Sequence, residues 1–148
     1  MDPANEAFVL DVLRAHNIMT LATIRDDGFP QATTVTFVND GTTIYCAVEA
    51  SSQKARNIKH CDKVSLTIDH DVSDWSKIKA LSMAAIAEIV TDPAEAERVG
   101  TLMTAKFPQV KDMAEPELGS YVFIRIAPKV ISLIDYTQGF GHTDLVEA

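Results

Sequence analysis

The stretch at residues 18–48, IMTLATIRDDGFPQATTVTFVNDGTTIYCAV, decides the fold of this chain. Three segments of it are rich in threonine, β-branched aliphatic and aromatic residues, which favour β-strands. These segments are residues 18–24, 30–38 and 42–48. Asp-Gly pairs between them supply residues that tolerate the positive φ of tight hairpin turns. The stretch therefore predicts three antiparallel strands joined by hairpins.

The rest of the chain adds helices and further strands. Helices are predicted from Asp2-Pro3 to about His16, over 53–60 behind a serine cap, and from the capping box at 92–95 to about Phe107, where Pro108 ends the helix. Further strands are predicted over residues 63–69, 80–90, 121–127 and 130–136, the last two meeting at Pro128-Lys129, with irregular chain over 108–120 and a loop-like tail over 137–148. This order predicts a mostly β fold with peripheral helices, arranged as a closed antiparallel barrel.

Length, net charge, hydropathy and cysteine content limit the kinds of protein that this chain is expected to be. The 148 residues suit one domain spanning 1–148, and the net charge of −8 would repel a phosphate backbone, so a nucleic-acid partner is not expected. No segment is long and apolar enough to span a bilayer, and no basic-then-apolar leader opens the chain, so no membrane association is expected. Two cysteines, Cys46 and Cys61, fit reduced thiols and hence a cytoplasmic location. No histidines or cysteines are paired at metal-binding spacing, so no metal is expected.

A basic turn stands out in this acidic chain. Residues 47–66, AVEASSQKARNIKHCDKVSL, hold four of the thirteen lysines and arginines. Ser52 and Lys54 lie at the start of the predicted second helix, where unpaired backbone N–H groups favour a bound phosphate. The alternative is that Ser52 only caps the helix and that the basic side chains are solvated.

The pattern TLAT, DDGFPQATTVTFV, GTTIYCAVEASSQKARNI and KVSL, taken in order, resembles the flavin-binding split-barrel family typified by pyridoxamine 5'-phosphate oxidase. The resemblance covers roughly residues 18–91 and includes the Gly-x-Pro at 28–30, the Ser-x-Lys at 52–54 and the Lys-Val-Ser-Leu at 63–66. It implies a six-stranded antiparallel split barrel. It also implies a homodimer with two FMN molecules bound at the subunit interface.

The resemblance also implies positions for the cofactor. The FMN phosphate is expected at Ser52, Gln53 and Lys54, the flavin ring along Thr33, Thr34, Val35 and Thr36, and the ribityl chain beside Ala47, Val48 and Glu49. Trp75 and Lys79 are the candidates contributed by the partner subunit, although a satellite core anchor explains Trp75 equally. Phe140 and His142, on a glycine-flanked loop, are candidates for closing over a ligand, although a C-terminal arm docked on the barrel is the simpler explanation.

The expected function is FMN-dependent oxidoreduction of a small molecule. Alternatives are a flavin carrier or redox sensor without turnover, or the same fold binding deazaflavin or haem, with His16 and His142 as the histidines expected to reach the cleft. Two departures separate the chain from the oxidase itself. Thr33 stands where the family enzyme has a basic residue, and no arginine follows Arg125, where the enzyme has an arginine-rich substrate segment. The chain is therefore most similar to the short, general-stress-type members.

Overall fold

Eight strand segments form one antiparallel sheet in the computed structural model, which describes residues 1–113 and 120–148. The strands are β1 Ile18–Ile24, β2 Pro30–Thr36, β3 Val38–Asp40, β4 Thr43–Glu49, β5 Lys63–Ile68, β6 Lys79–Ile89, β7 Tyr121–Asp135 and β8 Thr143–Glu147. The α-helices are α1 Pro3–Ala15, α2 Gln53–His60 and α3 Pro93–Lys106. Short 3₁₀ turns cover Trp75–Lys77, Pro108–Asp112 and Tyr136–Gln138.

The sheet curls into a barrel because one bent strand pairs with a different neighbour in each of its two parts. Hydrogen bonding runs in the order β2-β1-β5-β6-β7-β4-β3, so β2 and β3 lie at the two ends of the path. They are consecutive in the chain, separated only by Phe37, and together form one bent strand. Its first part pairs with β1 and its second part with β4. Counted in this way the ring has six strands, which confirms the predicted split-barrel fold.

Three predicted boundaries were wrong. Strand 30–38 is broken at Phe37, while the two strands predicted around Pro128-Lys129 are one continuous strand, β7. Proline interrupts a β-ladder because it lacks an N–H. Here a β-bulge accommodates it: Ala84 pairs with Val130, and the next residue, Ala85, pairs with Pro128. The bulge skips Lys129 and lets the sheet continue. The irregular chain expected after Pro108 begins as a 3₁₀ turn, and its part at 114–119 lies outside the described residues.

The tail predicted as a loop contains β8, which pairs antiparallel with β7. Gly139 and Gly141 adopt positive φ and reverse the chain before it. Four of the five β8 residues are exposed, so the strand lacks the alternation of buried and exposed positions that marks a strand in a sequence. Pairing with β7, rather than burial, holds it in place.

The barrel interior contains the main core, to which the strands contribute alternate residues. In β5 the buried and exposed positions alternate strictly, with Val64, Leu66 and Ile68 inside. Helix α1 adds the buried residues Val9 and Leu13 to the same core. Across the described residues, no helix is long and apolar enough to cross a membrane.

A polar network fastens α3 to the outside of the sheet. Glu95 of α3 accepts a hydrogen bond from the Tyr45 hydroxyl at 2.8 Å and one from Arg125 Nη1 at 2.6 Å. Arg125 also donates to Glu88 of β6 at 2.7 Å. The hydrogen bond from Arg125, followed by that from Tyr45, lowers the pKa of Glu95 below its usual value. The charged carboxylate therefore links α3 to β4 and β7.

We expect Glu95→Gln to reduce the free energy of unfolding at pH 7 by about 1–2 kcal/mol, because it removes charge from two hydrogen bonds. The pKa of Glu95 is lowered in the folded state, so its contribution is present above the unfolded pKa and is lost as the pH falls through the folded pKa. Urea unfolding at pH 7 and at acid pH should show the difference between the two proteins shrinking on acidification. Glu97→Gln, an exposed change on the same helix, is the control. A difference independent of pH would contradict this account.

Candidate functional site

The start of α2 is a positively charged corner at the end of β4. The Ser52 N–H donates to the Glu49 carbonyl at 3.0 Å and closes the turn, and the Ser52 hydroxyl accepts from the Ala55 N–H at 3.2 Å. Among the described residues, the backbone N–H groups of Gln53 and Lys54 have no acceptor. The first turn carries no acidic side chain. Two free N–H groups and the Lys54 ammonium thus remain for an anion.

Asn57 anchors α2 on the barrel. Its side chain is 1% exposed and donates to Thr23 Oγ1 of β1 at 2.9 Å and to Gln31 Oε1 of β2 at 3.1 Å. Its own Oδ1 accepts from Gln53 Nε2 at 2.7 Å. All three contacts lie within hydrogen-bonding distance, so this buried amide is satisfied and sets the position of the helix.

The side chain of Gln53, a predicted phosphate ligand, is already engaged in hydrogen bonds. Its Nε2 contacts Asn57, and its Oε1 accepts from Arg56 Nη2 at 2.7 Å. Arg56 Nη1 in turn donates to the Ser51 carbonyl at 2.7 Å. The side chains of Gln53 and Arg56 are therefore engaged within the turn. For a ligand, Gln53 offers its backbone N–H.

The predicted ring-binding strand β2 presents two different faces. Thr34 and Thr36 are exposed, whereas Thr33 and Val35 alternate with them and are half-buried. Gln31, two residues before Thr33 and on the same face, contacts Asn57 of α2. The Thr33 hydroxyl is buried and has no hydrogen-bond partner among the described residues. A buried hydroxyl left unpaired costs about 1–3 kcal/mol, so Thr33 is suited to contact a polar ligand.

Thr36 and Ala47 line a cavity of about 980 Å³ between the sheet and α3. The remaining wall comes from α3, the 3₁₀ turn after it and the start of β7. Among its residues are Gly100, Met103, Phe107, Val110, Tyr121 and Phe123. Of the other β4 candidates, Val48 is buried in the barrel core and Glu49 is exposed beside Tyr121. The strands thus bring Thr36 and Ala47 to the same cavity.

The α3 wall of this cavity was not predicted from the sequence. Residues 97–107 lie far from β2 and β4 along the chain, and no spacing motif links them. One signal was present, because Gly100 interrupts a helix with a residue that disfavours helices.

The other four candidates cluster at the opposite end of β7. The Trp75 and Phe140 rings lie 6.1 Å apart between centroids, and Phe140 also contacts the Tyr136 ring at 5.2 Å. Lys79 pairs with Asp135 in the sheet register. His142 accepts the Asp135 N–H on its backbone carbonyl, and its Nε2 lies 2.9 Å from Asp144 Oδ2. Trp75 is 63% exposed and Phe140 is 77% exposed.

The two groups of candidates do not meet within one chain. Ala47 pairs with Phe123 near one end of β7, whereas Lys79 pairs with Asp135 at the other. From residue 123 to residue 135 there are twelve steps, and at about 3.3 Å per step they span roughly 40 Å before allowing for coiling. Along β7 the two groups thus lie far apart, whereas across the sheet Thr36 of β2 is separated from the start of β6 by β1 and β5.

His16, one of the histidines expected to reach the cleft, is buried and makes contacts through both ring nitrogens. It is 7% exposed, and its Nδ1 lies 2.6 Å from the Val12 carbonyl while its Nε2 lies 2.6 Å from Nδ1 of His70. Both ring nitrogens are engaged, so neither is available as an axial ligand. In the part of the chain that the structure describes, no group of three or more His, Cys, Asp or Glu side chains is placed to hold a metal ion.

The two thiols have different surroundings. Cys46 of β4 is fully buried, and that burial raises its pKa to about 12, against a smaller lowering effect of the Lys54 charge. Cys61, which follows α2, is half-buried. Thiols react as thiolates, so Cys46 is protected twice, by its packing and by its protonation.

We expect Ellman's reagent at pH 8 to modify one thiol, Cys61, in the native protein and both thiols in denaturant. The Cys61→Ser variant should then be unreactive until it unfolds, while Cys46→Ser should react as wild type does. Rapid modification of native Cys61→Ser would show that the β4 thiol is accessible.

The family model for pyridoxamine 5'-phosphate oxidase matches residues 6–135. The fold agrees with that match, since the six-stranded ring is the split barrel that the resemblance implies. The chain belongs to the pyridoxamine 5'-phosphate oxidase family.

The proteins similar to this chain include general stress proteins and a haem-binding protein. The chain is 28% identical to general stress protein 26 of Bacillus subtilis over 127 residues, 86% of each chain. The structure of general stress protein 26 from Bacillus anthracis superposes with a TM-score of 0.73 at 18% identity, covering 97% of this chain and 98% of that one. A haem-binding protein from Mycobacterium smegmatis gives a TM-score of 0.81 at 19% identity, covering 99% of this chain and 59% of that one. The structural likenesses show the fold alone.

Proposed function

We propose that this chain binds FMN and serves as an FMN-dependent oxidoreductase of its family, acting on a small molecule. The observation that supports the proposal is the polar corner at α2. Two backbone N–H groups that have no acceptor within residues 1–113 and 120–148 lie with Lys54 at the helix start, and the Asn57 network holds that helix against β2. The Thr33 hydroxyl, buried and unpaired, lies on the same face of β2. This donor set suits a phosphate dianion.

The remaining candidates fit the other parts of the cofactor. The exposed face of β2, with Thr34 and Thr36, and the neighbouring Ala47 of β4 leave room for a flat ring beside the backbone. Glu49 is exposed at the end of β4, just before α2, where the ribityl chain would pass. Bound FMN supplies one- and two-electron redox chemistry, while the protein sets its position, polarity and access. No carboxylate is assigned a catalytic role.

The second half of the site comes, in this proposal, from a second copy of the chain. Trp75 and Phe140 are large and exposed, yet they lie at the end of β7 remote from Ala47. Aromatic side chains of this kind are enriched at protein interfaces. In a homodimer, these two rings, with Lys79 and His142 beside them, would cover the flavin held by the partner.

Haem binding is the second candidate, because a structural neighbour is a haem-binding protein. Of the two histidines expected to reach the cleft, His16 is engaged at both ring nitrogens, and His142 Nε2 contacts Asp144. An absorbance spectrum of the purified protein distinguishes flavin bands from a Soret band. If flavin is present, assays of NADH and NADPH oxidation then separate an enzyme from a flavin carrier or redox sensor.

Lys54→Ala should weaken FMN binding by about one to two orders of magnitude, because loss of a charge-assisted contact costs roughly 1.5–3 kcal/mol. Riboflavin lacks the phosphate, so its affinity should be lower in wild type and nearly unchanged in the variant. Isothermal titration of the apoprotein with both ligands measures this.

Lys59→Ala is the matched control, since Lys59 lies on the same helix, is exposed and carries the same charge. It should leave FMN binding within about twofold of wild type, as exposed charges contribute little. Equal losses in the two lysine variants, or equal wild-type affinities for FMN and riboflavin, would leave only diffuse charge attraction and refute the phosphate site.

The protein should be a homodimer in light scattering at micromolar concentration. Trp75→Ala combined with Phe140→Ala should release FMN faster than wild type, because both rings are removed from the proposed cover of the site. Phe29→Ala, which removes an aromatic ring that is 71% exposed outside this cluster, is the control. A monomer, or unchanged FMN retention in the double variant, would rule out this two-chain site.

A further inference from the structure

We propose that the cavity between α3 and the sheet takes an uncharged, apolar, ring-shaped part of the substrate beside the flavin, and that Gly100 keeps this space open. The inference rests on the proposed FMN site, with which the cavity shares Thr36 and Ala47. A molecule in the cavity would therefore lie next to the flavin ring.

The buried residues of the cavity wall are apolar. Met103 and Phe107 belong to a second hydrophobic cluster, outside the main core, and Phe123 packs against it from β7. Its buried members are Val38, Tyr45, Val99, Met103 and Phe107. Glu97 and Lys111, the charged residues that line the cavity within the described parts of the chain, are both exposed. A phosphate or carboxylate moved into the interior would lose hydration without gaining a buried cation. The walls consequently favour a neutral ligand.

Gly100 has no structural requirement of its own. It lies in the middle of α3, where glycine is less favourable than alanine. Its φ is not positive, and a Cβ built on it would have no heavy atom of another element within 4 Å among the described residues. A side chain at this position would thus be accepted by the fold. Since Gly100 lines the cavity, that side chain would occupy part of the space.

Menadione, a neutral two-ring quinone, is the probe, and calorimetric titration of the FMN-loaded, oxidised protein without an electron donor measures binding alone. Wild type should bind menadione, and should bind 1,2-naphthoquinone-4-sulfonate about tenfold more weakly or worse. Gly100→Phe should weaken menadione binding about tenfold or more while FMN is retained. Ala105→Phe places a ring in the same cavity from an exposed position and is the second variant, should Gly100→Phe fold poorly.

Ala94→Phe is the control, because it adds the same ring to an exposed position of α3 that does not line the cavity. It should bind menadione as wild type does. Menadione binding that is absent in wild type, or unchanged in both cavity variants, would overturn the inference while FMN binding stands. Equal loss of FMN and menadione in Gly100→Phe would show that the cavity holds the flavin itself, which also overturns it. Failure of wild type to bind FMN would instead refute the proposed function, and this inference with it.

Discussion

The bend at Phe37 is the constraint on which the rest of the structure depends. A single strand pairs with β1 before the bend and with β4 after it, and only this change of partner closes the ring. The Phe37 side chain is fully buried, and its N–H donates to the Asn17 carbonyl at 3.2 Å. Lys106, from the end of α3, lies 4.0 Å from the Phe37 ring centroid and donates to the His16 carbonyl at 2.7 Å. The bend therefore joins the ends of α1 and α3 to the barrel.

Closing the ring at this bend also creates the candidate site. It places Thr36 beside Ala47 although they are eleven positions apart in the chain, and α3 covers the space that opens there. Burial lowers the pKa of Lys106, yet its ammonium retains a carbonyl acceptor and an aromatic face. The same contacts that close the barrel hold one wall of the cavity.

Local chemistry explains why the first half of the chain was predictable. Strands β1 to β5 are short and lie next to glycine turns or a capped helix. Their hydrophobic residues either alternate with polar ones or form a continuous run, as the burial of each strand requires. Ser52 caps α2 as expected because capping involves residues three positions apart. The site around α3 could not be predicted in this way, since Gly100 and Ala47 meet only through the fold. Strand β8 was not predicted because backbone pairing with β7 holds it, and such pairing requires no hydrophobic pattern in the sequence.

The length of β7 decides how a complete site can be assembled. This strand pairs with β4 near its first residues and with the start of β6 at its last, so it separates the α2 corner from the Trp75–Phe140 pair by most of its length. Across the closed ring, β1 and β5 lie between β2 and the start of β6, where Lys79 is located. The α2 corner offers anion donors, and the aromatic pair offers exposed rings at the other end of β7. Two chains related by a twofold axis would supply each site with both halves, since an isologous interface repeats every contact twice.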